Sequence, residues 1–276
     1  MSEENSSRGW IIGLAVVVLV ALGAYFYLTS APEPEAPPPT VSEPEPEPEP
    51  GLELEPEPEP EVADTSEPEP APEPERELPP LNESDEEVRK DLLSLAPDGA
   101  LGRWLVSDEV IRKWVAAVNA ASSGQMMAKN RPYKSPRGSL AVEKQGATGM
   151  TLSEDNYRRY DTPVRLLANM DNDAAMALYR FWYPRLAEAF GELGMPDKTF
   201  HSQVLKAIDV ALDAPEADQP IQLVRPSVYF KFADPKMERL PGVHKLMIRM
   251  GPDNAARVQE KLRALKSELE QFQPPQ

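Results

Sequence analysis

The sequence predicts a mainly α, compact helical domain with one small β hairpin or extended element, preceded by a transmembrane helix and a disordered Pro/Glu-rich tether. Three observations predict it. Residues 10–28 are apolar throughout, and residues 31–77 are built chiefly from proline and glutamate. From residue 78 onward, apolar side chains recur mostly at helical spacing.

The first element is Trp10–Leu28, "WIIGLAVVVLVALGAYFYL", nineteen residues with no acid or base that ionises near neutral pH. As a helix it rises roughly 29 Å, close to the ~30 Å hydrocarbon thickness of a bilayer. Trp10 at one end and Tyr25 and Tyr27 near the other match interfacial aromatic belts. A cleaved signal peptide is the competing reading, with Thr29-Ser30-Ala31 as its small-residue site. The apolar run is too long for that, and one Arg against two Glu is the wrong flank. The expectation is an uncleaved anchor contacting the bilayer through residues 10–28. Arg8 sets residues 1–9 in the cytoplasm and the remainder outside it. In a bacterium this is a single-pass inner-membrane protein with a periplasmic C-terminal domain.

The tether, residues 31–77, contains sixteen Pro and sixteen Glu, including "EPEPEPEPGLELEPEPEPE" at 43–61. Proline removes a backbone donor and fixes φ, so polyproline II is the natural state. Alternate glutamates then stand about 6 Å apart, inside the ~8 Å Debye length at physiological salt. Their repulsion stiffens a low-complexity spacer. Proline–glutamate tethers behind one membrane helix resemble the energy-transducing TonB-type proteins. Those carry a histidine in the helix; this segment has none, so coupling to a proton-driven motor is not expected.

The helical domain is expected over 78–272. Ser84 with Glu87 fits a capping box for a helix presenting Val88, Leu92, Leu93 and Leu95. Ser107 is the expected cap of a helix over 108–121, stopped by Gly124, and a basic loop follows over 125–138. Residues 139–152 alternate around a Gly-containing turn and predict a small hairpin. Two short helices are expected next, 153–160 capped by Ser153 and 162–170 capped by Asp161. A helix from Asp171 or Asn172 runs to Gly194, kinked at Pro184. A further helix covers 197–214. Alternation at Val228, Phe230 and Phe232 predicts an extended segment within 222–235, kept from a sheet centre by Pro226. Short helices near 235–240 and 242–250 precede the last one. There Val258, Leu262, Leu265, Leu269 and Phe272 form an a/d seam. At two heptads it fits packing on its own domain better than an intermolecular coiled coil.

Charge narrows the function classes. The chain carries −17, of which residues 31–77 hold −16 and residues 1–30 hold −1. The domain is therefore neutral, which argues against nucleic acid as a partner. With no cysteine, disulfides, thiolate zinc sites and Cys nucleophiles are excluded. His201 and His244 stand alone, with no H-E-x-x-H, nucleophile elbow, P-loop or G-x-G-x-x-G. No cofactor, metal or catalytic residue is assigned, and the reading leans away from an enzyme. Glu154, Asp155 and Asp161 could serve glycan hydrolysis or simply favour helix N-termini. The candidate anionic-ligand or interaction residues are Arg158, Arg159, Tyr160, Asp161, Arg225, Tyr229 and Arg249. Their arginines offer forked hydrogen bonds to carboxylate or phosphate, or they stitch helix ends internally.

The strings "LPPLNESDEEVRKDL", "NYRRYDTPVRLL", "RPSVYFKFADPKMERL" and "RMGPDNAARVQEKLRALKSEL" resemble a bacterial family of membrane-anchored proteins catalogued as domain of unknown function 3014. The resemblance spans roughly 78–272 and implies a single-pass envelope protein without an assigned activity. The function expected is a tethered interaction domain for an envelope protein or the cell wall. The alternative is an unrecognised enzyme modifying wall glycan or peptide.

Overall fold

The computed structural model describes residues 76–134, 139–146 and 149–275. The expected N-terminus 1–9, the anchor at 10–28 and residues 31–75 of the tether lie outside them. Among the described residues no helix is long and apolar enough to cross a membrane.

The order is α1 (Asp85–Ser94), α2 (Val110–Ser122), β1 (Val142–Gln145), β2 (Gly149–Leu152), α3 (Glu154–Ala168), α4 (Asn172–Gly191) and α5 (Phe200–Leu212). Then come β3 (Gln222–Val224), β4 (Lys231–Phe232), α6 (Pro235–Glu238), α7 (Gly242–Arg249) and α8 (Pro252–Leu269). The fold is mainly helical, as expected.

α2 supplies the hub. Val110, Ile111, Val115, Ala117, Val118 and Ala121 are all at most 2 % exposed, and they pack chiefly on α4 and α5. The N-terminus of α2 is not capped by Ser107. Asp85, at the start of α1, accepts from the backbone N–H of Glu109 (2.7 Å) and Val110 (2.8 Å). Ser84 likewise forms no capping box. The 3-10 turn Leu81–Glu83 runs straight into α1, so Ser84 is already helical and its hydroxyl donates back to the Leu81 carbonyl. Gly124 does end α2, at φ 73°.

Residues 153–170 form one helix rather than two. Ser153 caps α3 as expected, but Asp161 is interior and caps nothing. Pro163 forfeits one helical hydrogen bond; Tyr160, Val164 and Leu167, each at most 1 % exposed, hold the continuous helix against the core. Asp171 caps α4 through the Ala174 N–H. α4 stops at Gly191, before Gly194. α5 begins at Phe200 behind a Thr199–Ser202 capping box that the sequence reading overlooked.

The hairpin forms with Val142 opposite Leu152 and is the first half of a four-stranded antiparallel sheet, β1-β2-β3-β4. The segment expected as one strand folds into two. β3 and β4 pair through Leu223 and Phe232, and Val228 sits exposed in their connection. Leu152, Ile221, Leu223, Phe232 and Ile248 make a small second core beneath this sheet.

α8 closes the domain on α3 and α5. Val258, Leu262 and Leu265 are 0 % exposed and Leu269 is 1 % exposed, so the a/d seam is filled by the chain's own helices. Each such side chain contributes about 1.5–3 kcal/mol of burial. Beyond it, Phe272 meets Tyr179, Tyr183 and His201 edge-on at 5.3–5.5 Å. His201 Nδ1 pairs with the Tyr179 hydroxyl at 3.0 Å. Burial holds the imidazole pKa below its ordinary 6.5, outweighing a hydrogen bond to the Leu269 carbonyl. A depressed histidine pKa stabilises the fold above the unfolded value and loses that contribution as pH falls through the folded one. The thermal midpoint is therefore expected to drop as pH is lowered from 7 through about 6.5 and below, and less so in His201→Phe. Coincident pH profiles for the two proteins would contradict this.

Candidate functional site

The α3 sequence "SEDNYRRYD" distributes its side chains by helical rotation, about 100° per residue. Asn156 and Tyr160 point inward at 0 % and 1 % exposure. Arg158 and Asp161 point outward. Asn156 ties three segments together: its Nδ2 donates to the Arg249 carbonyl (2.8 Å), and its Oδ1 accepts from Arg159 Nη1 (3.0 Å) and Ala141 N–H (3.4 Å).

The outward face of α3 borders a cleft of about 500 Å³. The sheet contributes Glu143, Gln145, Thr151 and Leu152; α3 contributes Glu154, Tyr157, Arg158 and Asp161. Gln219 and Pro220 lie between, and Met250 to Asn254 supply the entry into α8. Gly251 permits this arrangement. Its φ is 87°, and a Cβ there would stand 2.6 Å from Tyr157 Cγ. Only glycine lets the α8 entry lie against the Tyr157 ring.

Internal hydrogen bonds hold the cleft together. The Tyr157 hydroxyl donates to Gln219 Oε1 at 2.7 Å, and Ser153 Oγ donates to Glu143 at 2.8 Å. Asn254 is 3 % exposed. Its Nδ2 faces the Tyr157 carbonyl (3.0 Å), Asp161 Oδ1 (3.0 Å) and the Met250 carbonyl (3.1 Å).

The electrostatics are one-sided. Glu143, Glu154, Asp161 and Asp253 face a single arginine, Arg158. That arginine is already paired with Asp155 at 2.7 Å. The Tyr157 phenol registers the field: burial pushes its pKa up, the Gln219 hydrogen bond opposes this, and the charges of Glu154 and Glu143 push it further up. Among the described residues no three His, Asp or Glu side chains are placed to hold a metal ion.

The structure brings Arg158 and Asp161 into this cleft and leaves the other expected residues outside its lining. Tyr160 is core. Arg159 binds Asn156. Arg225 stacks over Phe230 at 5.1 Å in the β3–β4 connection, where Tyr229 also lies. Arg249 is 9 % exposed, with its guanidinium 5.0 Å over the Phe232 ring. Burial lowers its pKa, opposed by Tyr160 and Glu238. It joins α7 to the sheet. Sequence reasoning overlooked Glu143, and in the stretch "RMGPDNAAR" it singled out Arg249 and a helix start rather than Gly251, Asp253 and Asn254. Gly251-Pro252 was legible only as the start of a helix.

A family model described as "Protein of unknown function (DUF3014)" matches residues 110–266, from the start of α2 into α8. No curated protein and no solved structure matches the chain.

Proposed function

The chain belongs to the DUF3014 family, and from that premise we propose that it is a single-pass, membrane-anchored protein of the bacterial envelope whose folded domain is a binding module. The apolar run at 10–28 and the Pro/Glu-rich stretch at 31–77 support an anchor and a stiff spacer. They would present the domain in the periplasm to an envelope protein or the wall. The observation that carries the binding reading is the cleft, where polar side chains from β1, β2, α3 and α8 converge around one hollow. Ligand sites are typically such concavities with a few convergent polar groups.

A second reading has a specific observation behind it. Four carboxylates border the same cleft, and an acid with a base suffices to hydrolyse a glycan. One experiment separates the two. A photo-crosslinking residue replaces Gln145 in the full chain, and adducts are followed in intact envelopes while the purified protein is incubated with cell-wall sacculi. The expected result is a discrete adduct that disappears with Asp253→Lys, and no soluble wall product. Product release that is abolished by Glu154→Gln would overturn the binding reading in favour of the enzyme.

A further inference from the structure

The stretch "VRPSVYFK", residues 224–231, takes no part in the cleft. It makes the tip of the β3–β4 hairpin. Leu223 and Phe232 pair at the hairpin's base and join the small second core. Beyond them the apolar side chains turn outward. Val224 is 42 % exposed and Val228 48 %. Among the described residues three large hydrophobic side chains are exposed, and these are two of them; the third, Leu193, lies just past α4. Tyr229 and Phe230 are half-buried beside Val228. A single exposed aliphatic residue needs no explanation, whereas several at one tip mark a contact site.

The charges at this tip are of one sign. Residues 220–233 carry Arg225 and Lys231 and no acid, and both cations are exposed. Arg225 lies over the Phe230 ring, and neither cation has a carboxylate partner among the described residues. α6 packs against β4, and Lys236 and Arg239, at its start and end, add two exposed cations. The acids among them are engaged. Asp234 caps α6 through the Lys236 N–H at 2.7 Å. Glu238 accepts from the Phe232 N–H at 3.0 Å and faces Lys245 at 3.4 Å.

We propose that the β3–β4 tip docks on an anionic phospholipid bilayer, with Val224 and Val228 entering the interface and Arg225 and Lys231 meeting headgroup phosphates. Apolar side chains flanked by cations gain from acyl chains and phosphates together. A tyrosine suits the boundary between them, and the arginine fork suits phosphate. A protein partner fits less well, because a specific interface engages about 20–30 residues a side and residues 225–230 are a short connection. The bilayer is the one that an anchor at 10–28 occupies, so the proposal rests on the membrane-anchored reading.

The chain has no cysteine, so Ser227→Cys gives one attachment point for an environment-sensitive fluorophore beside Val228. The labelled full chain is placed in nanodiscs of phosphatidylcholine alone or mixed with phosphatidylglycerol, and quenching by a nitroxide-bearing lipid is read. Quenching is expected in the phosphatidylglycerol discs and not in the others. Arg225→Ser with Lys231→Ser is expected to lower the docked-to-free ratio about tenfold or more, and Val228→Asp to lower it as well. The same label on Leu193→Cys should stay unquenched in both discs. All of these residues are exposed, so thermal melts should overlay the unsubstituted chain. The polyanionic stretch is the same in every variant, and its repulsion from the lipid cancels. No quenching, equal quenching in both discs or at Leu193, or quenching untouched by the double replacement overturns the proposal. A lipid-independent emission shift that appears only with an added envelope-protein fraction overturns it in favour of a protein partner. Discs that retain the chain without quenching leave the anchored reading standing, whereas a chain that does not stay with the discs removes that reading and this proposal with it.

Discussion

Gly251→Ala is expected to lower the thermal midpoint by roughly 4–24 °C and to displace Tyr157 from the cleft. Two costs combine. Gly251 sits at φ 87° and ψ 159°, a region essentially restricted to glycine, where other residues cost about 1–3 kcal/mol. The new Cβ would also stand 2.6, 2.9 and 3.0 Å from Tyr157 Cγ, Cδ1 and Cβ. These atoms belong to the ring and its root, which cannot swing aside, and overpacking of this kind adds about 1–3 kcal/mol. The sum is about 2–6 kcal/mol, and a domain of this size shifts by about 2–4 °C per kcal/mol. Gly191→Ala is the control: it closes α4, has no positive φ, and has nothing within 4 Å of the built Cβ. That replacement should leave the midpoint level or slightly raised. A Gly251→Ala melt that overlays the wild type would show that the close approach to Tyr157 is wrong.

The second large effect belongs to Asn156. Replacement by alanine strands the Arg249 carbonyl and removes the acceptor used by Arg159 and Ala141. The site is fully buried, so water cannot substitute. The Arg249 carbonyl and the Ala141 N–H are stranded at about 1–3 kcal/mol each, which places the loss at about 2–6 kcal/mol. Urea unfolding should show a lower midpoint with an unchanged slope. Asn156→Asp is the informative companion. It keeps the acceptor but sets a carboxylate against the Arg249 carbonyl, so it should be no better than alanine. Full stability in the aspartate variant would mean that the bond to Arg249 contributes little.

Much of the helical fold was legible because local chemistry decides it. The 3.6-residue pattern of Val110 to Val118 and of Val258 to Leu269 located α2 and α8. Ser153 was read as a cap, and Asp171 or Asn172 as the start of α4, because each lies beside the turn it begins. Local reading failed where the partner is distant. Nothing near residue 110 reveals that Asp85 will cap α2. Asp161 precedes Thr-Pro and looks like a helix start, yet burial of Tyr160 and Val164 on one face overrides Pro163. Val228, Phe230 and Phe232 alternate like one strand, but Pro226 turns the chain and two strands form. The cleft was the least legible feature. It unites positions 143, 154–161, 219 and 251–254, which share no spacing, and its glycine resembles any helix-preceding glycine. The arginines stood out in sequence, but most of them are structural: Arg249 supports a sheet and Arg159 an asparagine.

The sheet's pairing has a consequence for the order in which this chain can be assembled. Met150 of β2 stands opposite Leu223 of β3 in the antiparallel pairing, with α3, α4 and α5 between them. As the polypeptide is synthesised, the β1–β2 hairpin emerges first, and a lone two-stranded hairpin is marginal in water. It must wait while three helices are made and packed, because closing so long a loop is entropically costly until its ends are held near each other. Those helices shorten the effective search, and the sheet then completes on a surface already in place. The cleft needs the hairpin, α3 and the N-terminus of α8 together. It is therefore among the last parts of the domain to exist, and a nascent chain has no such hollow until its final helix is packed.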